Sequence, residues 1–354
     1  MEHSPFKFLD SYSEADFEIF YGRDQEIEEI YSKLLQSNLM LLYGPSGAGK
    51  TSILQCGVAN RFTPVNWKPV FVRRKGDLMA SLQHAINRTA LKPLKDQDSI
   101  ADQLYSVYLD YLTPIYLVFD QFEELFIFGS EQEKSEFVAA LKEIVANKEI
   151  NANVILSIRE EYLANLSEFE DDIPSLFDTR VRVEKLKRAQ AYEVIKTPCE
   201  KFDIHIGDQP IHRILELVTN ESGSIELTWL QVLMDRLYRN AVEVNQQQQI
   251  TMEDIAKIGK IGDILGNFLE QQLQLMEDEA LGEAILKTFI TNEGTKRQMT
   301  VEEIHENLKV LGKSREREQI QQTLQYFINI RILTDKDEND VPDAAEREEE
   351  RNRE

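Results

Sequence analysis

The residues of this chain with the most chemistry in their spacing are Gly44, Pro45, Ser46, Gly47, Ala48, Gly49, Lys50, Thr51 and Ser52. Together they read GPSGAGKTS and satisfy G-x-x-x-x-G-K-[ST] at every fixed position. The apolar run Leu39–Tyr43 precedes them and the helix-forming stretch Thr51–Asn60 follows. Glycines let the backbone fold back with its N–H groups pointing inward, and such a nest at a helix N-terminus attracts an anion. Lys50 would then reach the β- and γ-phosphates of a nucleotide, and the Thr51 hydroxyl would ligate Mg²⁺. With strand, complete motif and helix in register, a glycine-rich turn that binds nothing is the weaker reading. The stretch predicts a site for a nucleotide and Mg²⁺.

Two further strand ends could complete the chemistry. The apolar run Ile115–Gln121 (IYLVFDQ) closes on Asp120, the expected carboxylate for holding Mg²⁺ through its water shell. Hydrolysis also needs a carboxylate to orient and deprotonate water beside the γ-phosphate. Position 121 is a glutamine, which leaves Glu123 or Glu124 for that work. The same two residues would also suit the acidic first turn of a helix. Arg159 closes the run Asn153–Arg159 (NVILSIR), where its planar fork would face the phosphates. The competing expectation for Arg159 is a surface salt bridge to Glu160 or Glu161. Arg73–Lys75 (RRK) is a basic cluster near these ends and reads as a surface patch rather than a specific contact.

The elements that would carry these residues alternate along the chain. Strands are expected at Leu39–Tyr43, Trp67–Arg74, Ile115–Gln121, Asn153–Arg159 and Arg180–Leu186. Helices are expected at Asp77–Thr89, Asp98–Leu112 and Glu131–Asn147. Alternation of this kind predicts an α/β fold, a parallel sheet with helices on both faces. Ligands then sit at the carboxyl ends of the strands, where Tyr43, Asp120 and Arg159 fall. From Asp208 onward no strand run is expected until Arg331. Leu227, Leu230, Met234 and Leu237 recur at helical spacing as a core face. Residues 262–334 read as helices closing on a short strand, IRILTD, the outline of a winged helix. Its last helix places Ile320, Leu324, Phe327 and Ile328 on one face, and interleaves Arg315 and Arg317 with Glu316 and Glu318 elsewhere. A DNA-reading helix would present a basic face instead. The expected division is a phosphate-loop domain over 1–206, a helical domain over 207–260, a winged-helix-like domain over 261–336 and an acidic tail over 337–354.

Composition bounds the remaining possibilities. The chain has 354 residues, enough for two or three domains, and a formal net charge of −23. That charge repels phosphate backbones, so nucleic acid is not expected to bind through a basic surface. Residues 335–354 are strongly acidic and carry few apolar groups, which makes them a disordered segment or a solvated helix. No apolar run approaches the ~18 residues of a membrane span, and MEHSPFKFLD lacks the pattern of a secretory signal. Cys56 and Cys199 form no disulfide framework, and the five histidines have no metal-ligand spacing. The expected compartment is the cytoplasm.

Taken together, these segments resemble the STAND class of P-loop ATPases, and within it the bacterial novel STAND domains of conflict and defence systems. PFKFLDSYSEADFEIFYGRDQEIEEI is similar to that family's leading segment, in which Tyr21, Gly22 and Arg23 match a motif near adenine and ribose. GPSGAGKTS matches its phosphate loop. VFDQFEELF matches its Walker B segment and favours Glu123 over Glu124 as the water-activating acid. VILSIREEYLANL is similar to the strand carrying its sensor arginine, here Arg159. The family's Gly-x-Pro is matched by Gly223 without the proline, and residues 335–354 hold no counterpart of its ADP-contacting histidine. The resemblance implies an ATP-binding and ATP-hydrolysing switch that changes conformation and forms homo-oligomers. It also implies a protein partner or attached effector, in bacterial defence or signalling. The alternative is an AAA+-like ATPase assisting DNA transposition or replication. A binding module with a degenerate site is disfavoured by the intact Lys50, Thr51 and Asp120.

Overall fold

A strand that is apolar at every position must be covered on both faces, and the central strands of this protein are. The computed structural model describes residues 4–333, apart from 9, 64, 75, 95–98, 148, 221–222, 245, 259–265, 267–268, 271, 291–298, 314 and 330–331. In chain order its elements begin with α1 (Asp24–Leu34), β1 (Leu39–Gly44), α2 (Lys50–Ser52), β2 (Lys68–Val72), α3 (Leu78–Thr89) and α4 (Ile100–Tyr111). There follow β3 (Ile115–Asp120), α5 (Glu124–Phe128), α6 (Glu131–Ala146), β4 (Ala152–Arg159) and β5 (Arg180–Arg182). Next come α7 (Arg188–Lys201), β6 (His205–Ile206), α8 (Asp208–Leu217), α9 (Leu227–Tyr238), β7 (Gln249–Ile250) and α10 (Met252–Ile258).

The main sheet runs β2-β3-β4-β1-β5, and every pair in it is parallel. Side chains alternate between its faces, as the pleat requires. Leu39 and Leu41 join a core with Leu82 and Ile86 of α3, Leu104 of α4 and Leu141 of α6. Met40 and Leu42 join a second core with Ile27 and Ile30 of α1 and with Ile53 and Leu54. The doubly covered parallel sheet expected from the sequence is thus the architecture observed.

Three boundaries differ from the sequence reading. The helix after the phosphate loop starts as α-helix at Lys50 but widens to a π-helical stretch over Ile53–Val58. Gly57 lies in that stretch, and a Cβ there would sit 2.5 Å from Ile27 Cδ1, so it lies tightly against α1. The fifth strand is only Arg180–Arg182, with both arginines exposed at the sheet edge. A strand also occurs between Asp208 and Arg331: β7 pairs in parallel with β6. Two residues on each side are too few to leave a periodic apolar run in the sequence.

The chain divides into two compact units, 1–256 and 257–354. The second contains α11 (Glu279–Thr288), α12 (Val301–Val310) and α13 (Arg317–Asn329). They share a core of Leu281, Ile285, Ile304, Leu308, Ile320, Leu324 and Phe327. Ile320, Leu324 and Phe327 therefore pack as their spacing predicts. The strand expected at IRILTD lies outside the described residues except for Ile332 and Leu333, which form a bend. No helix among the described residues is long and apolar enough to cross a membrane.

The loop leaving β2 is tied down by a buried pair. Arg74 Nε and Nη2 donate to the two carboxylate oxygens of Glu133 at 2.8 and 3.0 Å, and Arg74 Nη2 also donates to the Phe128 carbonyl. The Leu78 N–H donates to the same carboxylate at 2.6 Å, which caps α3. Removing one partner of a buried pair strands the other charge. Glu133→Ala is accordingly expected to lower the unfolding free energy by about 3–5 kcal/mol, read by urea denaturation. Glu133→Gln, which keeps an acceptor for Leu78, should lose less.

Candidate functional site

The phosphate loop connects β1 to α2 through positions that only glycine can fill. A Cβ on Gly44 would lie 2.1 Å from the Val183 carbonyl oxygen. Gly47 and Gly49 have φ of +76° and +91°, the left-handed region. Lys50 folds back so that Nζ donates to the carbonyls of Gly44 (2.7 Å) and Pro45 (3.2 Å). Burial brings its ammonium down to about 8, opposed mainly by the negative charge of Glu123. Ala48 is buried, while Pro45, Ser46, Gly47 and Thr51 are half-buried along the loop. Ser52 faces elsewhere: its hydroxyl accepts from the Tyr12 N–H at 3.1 Å.

The leading segment braces this loop from outside. Arg23 is almost wholly buried, donating from Nη2 to the Ala48 carbonyl at 2.7 Å and from Nη1 to Glu26 at 2.5 Å. Gly22 has φ of +76°, and a Cβ there would press to 3.0 Å on the Gln190 carbonyl and on Val194. Gln190 in turn donates to the Gly22 carbonyl. Tyr21 turns its hydroxyl back to the Glu18 carbonyl. Arg23 and Ser52 therefore each join the leading segment to the phosphate loop by a direct bond, whereas Tyr21 bonds within its own segment.

The sheet order brings the remaining groups together. Strand β4 lies between β1 and β3, with Arg159 in register with Gly44 and Ser157 in register with Asp120. Thr51 Oγ1 donates to Asp120, 3.0 and 3.1 Å from its two oxygens. Ser157 Oγ donates to Oδ1 at 3.3 Å. Arg73 corrects the surface-patch reading of the RRK cluster. Its Nε and Nη2 both donate to Asp120 Oδ2, at 2.9 and 2.5 Å.

Past Asp120 the chain turns sharply. Gln121 takes a left-handed φ of +59°, and the Phe122 N–H donates to the Ser157 carbonyl. Phe122 then packs on Phe137 at 4.9 Å between ring centroids, with Phe126 against Phe169 at 5.4 Å. Both glutamates of this turn are buried. Glu123 Oε1 pairs with Arg159 Nε at 3.0 Å, and its Oε2 accepts from the Arg159 N–H. The salt bridge expected at Glu160 or Glu161 is instead made to Glu123, and Glu160 pairs with Arg182. Burial pushes the Glu123 carboxyl up, opposed by Arg159 and Lys50. Burial and the neighbouring Glu123 charge push Glu124 up to about 8, against the pull of Arg73 and Arg74.

The arrangement provides a backbone nest, a lysine, an arginine and two kinds of hard oxygen donor. A hydroxyl beside a carboxylate suits Mg²⁺, which prefers oxygen ligands and retains water. Among the described residues no group of three or more His, Cys, Asp or Glu is placed to hold a metal. A cation at Thr51 and Asp120 would therefore take its remaining ligands from phosphate and water.

A parallel sheet with β4 interposed between the phosphate-loop strand and the Asp120 strand is the topology of a P-loop NTPase of the STAND and AAA+ kind. The sequence profile described as Novel STAND NTPase 1 matches residues 5–346. The chain belongs to that family. No curated protein sequence matches it. Among solved structures it is similar to a Walker-type ATPase of Pyrococcus abyssi, at 16% identity and a TM-score of 0.51, covering 93% of this chain and 95% of that one. The ORC1 protein of Aeropyrum pernix, solved in complex with DNA, gives 15% identity and a TM-score of 0.57 over 88% of this chain and 84% of that one. The ORC2 protein of the same organism, in ADPNP–ADP complexes, gives 14% identity and a TM-score of 0.52 over 89% and 87%. At such identities the likeness is one of fold.

For this STAND NTPase, sequence reading missed Arg73 and Ser157 as neighbours of Asp120. The available signal was position: Arg73 directly follows β2, at the same sheet edge as Asp120. The burial of Glu124 carries a pH signature. Between its ordinary value of 4.5 and the folded value of about 8, the unfolded chain has released a proton that the folded chain keeps. This group's contribution to stability thus falls as pH rises, by at most about 1.4 kcal/mol per pH unit. Glu124→Gln is neutral throughout, so its stability relative to the parent should increase steadily from about pH 5 to about pH 8. Parallel denaturation midpoints across that range would contradict the assignment.

Proposed function

We propose that this NTPase binds Mg²⁺-ATP at the GPSGAGKTS loop, hydrolyses it slowly, and uses the bound nucleotide to switch conformation and assemble into homo-oligomers. The observation that carries the reading is the convergence of Lys50, Thr51, Asp120, Glu123 and Arg159 at the carboxyl ends of three adjacent parallel strands. In this reading the backbone N–H groups of the loop, from Ser46 to Ser52, cradle the phosphates and Lys50 leaves the loop carbonyls for the β- and γ-phosphates. Thr51 and Asp120 would hold Mg²⁺, which supplies charge neutralisation across the β- and γ-phosphates when bound. Glu123 orients and deprotonates the attacking water once Arg159 turns from it to the γ-phosphate. Glu124 is pushed up to about 8 by burial and by the Glu123 charge. Tyr21, Gly22 and Arg23 would border the adenine and ribose.

The switch follows from pairing the phosphate-loop domain, 1–206, with a helical domain, 207–260, and a winged-helix-like domain, 261–336, as a nucleotide-biased bistable assembly. Family membership supports a signalling or defence setting with a protein partner or attached effector. The second reading, an ATPase assisting DNA transactions, is supported by the fold shared with the DNA-bound ORC1 protein. The net charge of −23 weighs against it. Measurable duplex binding at physiological salt would favour that reading.

Lys50→Ala should weaken ATP binding roughly 10- to 150-fold, the range of one charge-assisted hydrogen bond. Unchanged affinity by calorimetry would remove the phosphate-loop reading. Glu123→Gln should retain Mg²⁺-ATP binding while slowing turnover by about 10²–10⁴-fold. It should also accumulate as the larger, ATP-bound particle in light scattering, because it loads without resetting. If Glu124→Gln alone abolishes turnover, the two glutamates exchange roles. If neither variant slows it, the hydrolytic mechanism fails.

A further inference from the structure

The guanidinium of Arg73 and a divalent cation draw on the same carboxylate. Strand β2 runs beside β3 with Val72 opposite Phe119, so the next residue on each strand, Arg73 and Asp120, meets its counterpart at the sheet edge. Arg73 donates twice to Oδ2 of Asp120, and Thr51 and Ser157 take up its remaining acceptor capacity. The two partners differ in freedom. The Asp120 side chain is 3% exposed and cannot turn away, whereas that of Arg73 is 45% exposed and can swing into water.

We propose that Arg73 is a positioning residue that competes with Mg²⁺ for Asp120, so that loading of metal and nucleotide requires its guanidinium to withdraw. The inference rests on the reading that Thr51 and Asp120 hold the metal. Like charges a few ångströms apart repel, and both need the one buried carboxylate. A cation that binds Asp120 must therefore displace a charge-assisted pair rather than meet a free anion. Arg73 would thus set the Mg²⁺ concentration at which the site loads, a threshold written into the strand end.

The test is a MgCl₂ titration of fluorescent mant-ADP binding to the full chain, with an EDTA baseline, for the parent, Arg73→Gln and Arg73→Lys. Arg73→Gln should lower the Mg²⁺ midpoint by about 3- to 10-fold, a modest effect because half-exposed charges are screened. Its metal-free affinity should stay within about twofold of the parent, since no phosphate contact is removed. Arg73→Lys, which keeps the charge without the paired fork, should fall between, and it carries the test alone if Arg73→Gln does not fold. An Arg73→Gln midpoint equal to or above that of the parent, or parent binding that does not depend on Mg²⁺, overturns the inference and leaves the nucleotide site standing. Equal loss of mant-ADP with and without metal would make Arg73 a phosphate contact and also overturn it. A parent that binds no mant-ADP at any Mg²⁺ concentration removes the site reading and this inference with it.

Discussion

Charge cannot be buried alone, and that constraint organises this protein around the carboxyl ends of its strands. Asp120, Glu123 and Arg159 are all nearly sealed from water. Each is admitted because another element supplies a counter-charge: Arg73 after β2 for Asp120, and Arg159 on β4 for Glu123. Lys50 is accommodated by the loop carbonyls of Gly44 and Pro45. The strand order meets the same demand. With β4 beside β3, the arginine ending β4 reaches the acid that closes the turn after β3.

The hydrophobic core serves that arrangement. Phe119, Phe122 and Phe137 pack edge-on and tilted within about 6 Å of each other. They fix the left-handed step at Gln121 that would otherwise be strained. The aromatic cluster thus flanks the turn that carries Glu123 to Arg159.

What was legible in the sequence was whatever depends on neighbours along the chain. The phosphate loop, the strand ending at Asp120 and the strand ending at Arg159 are all local patterns of apolar runs and glycine spacing. The partners of these residues were not legible. Arg73 and Asp120 lie 47 residues apart, and Arg159 and Glu123 lie 36 apart. Nothing in either local pattern distinguishes Glu123 from Glu160 as the acid that Arg159 would find. Register decides it: β3 and β4 run parallel with Asp120 opposite Ser157, which brings the turn after β3 up to the end of β4. The two-residue pairing of β6 with β7 escaped for a related reason, since its stability comes from the helices around it rather than from its own apolar pattern.

This internal pairing bears on the proposed binding of a nucleotide. Lys50 is already bonded to the loop carbonyls, Arg159 to Glu123 and Arg73 to Asp120. In the proposed function the phosphate contacts of Lys50 and Arg159 would replace these contacts, so their net energy would be a difference between two sets of charge-assisted bonds. In the proposed function that exchange would also transmit. Arg159 leaving Glu123 would free both the acid and the end of β4 of a restraint. Lys50 leaving the Gly44 carbonyl would release one end of the loop that Arg23 braces through Ala48. A rearrangement at the phosphates would then reach α1 through Arg23 and Glu26, along bonds already in place.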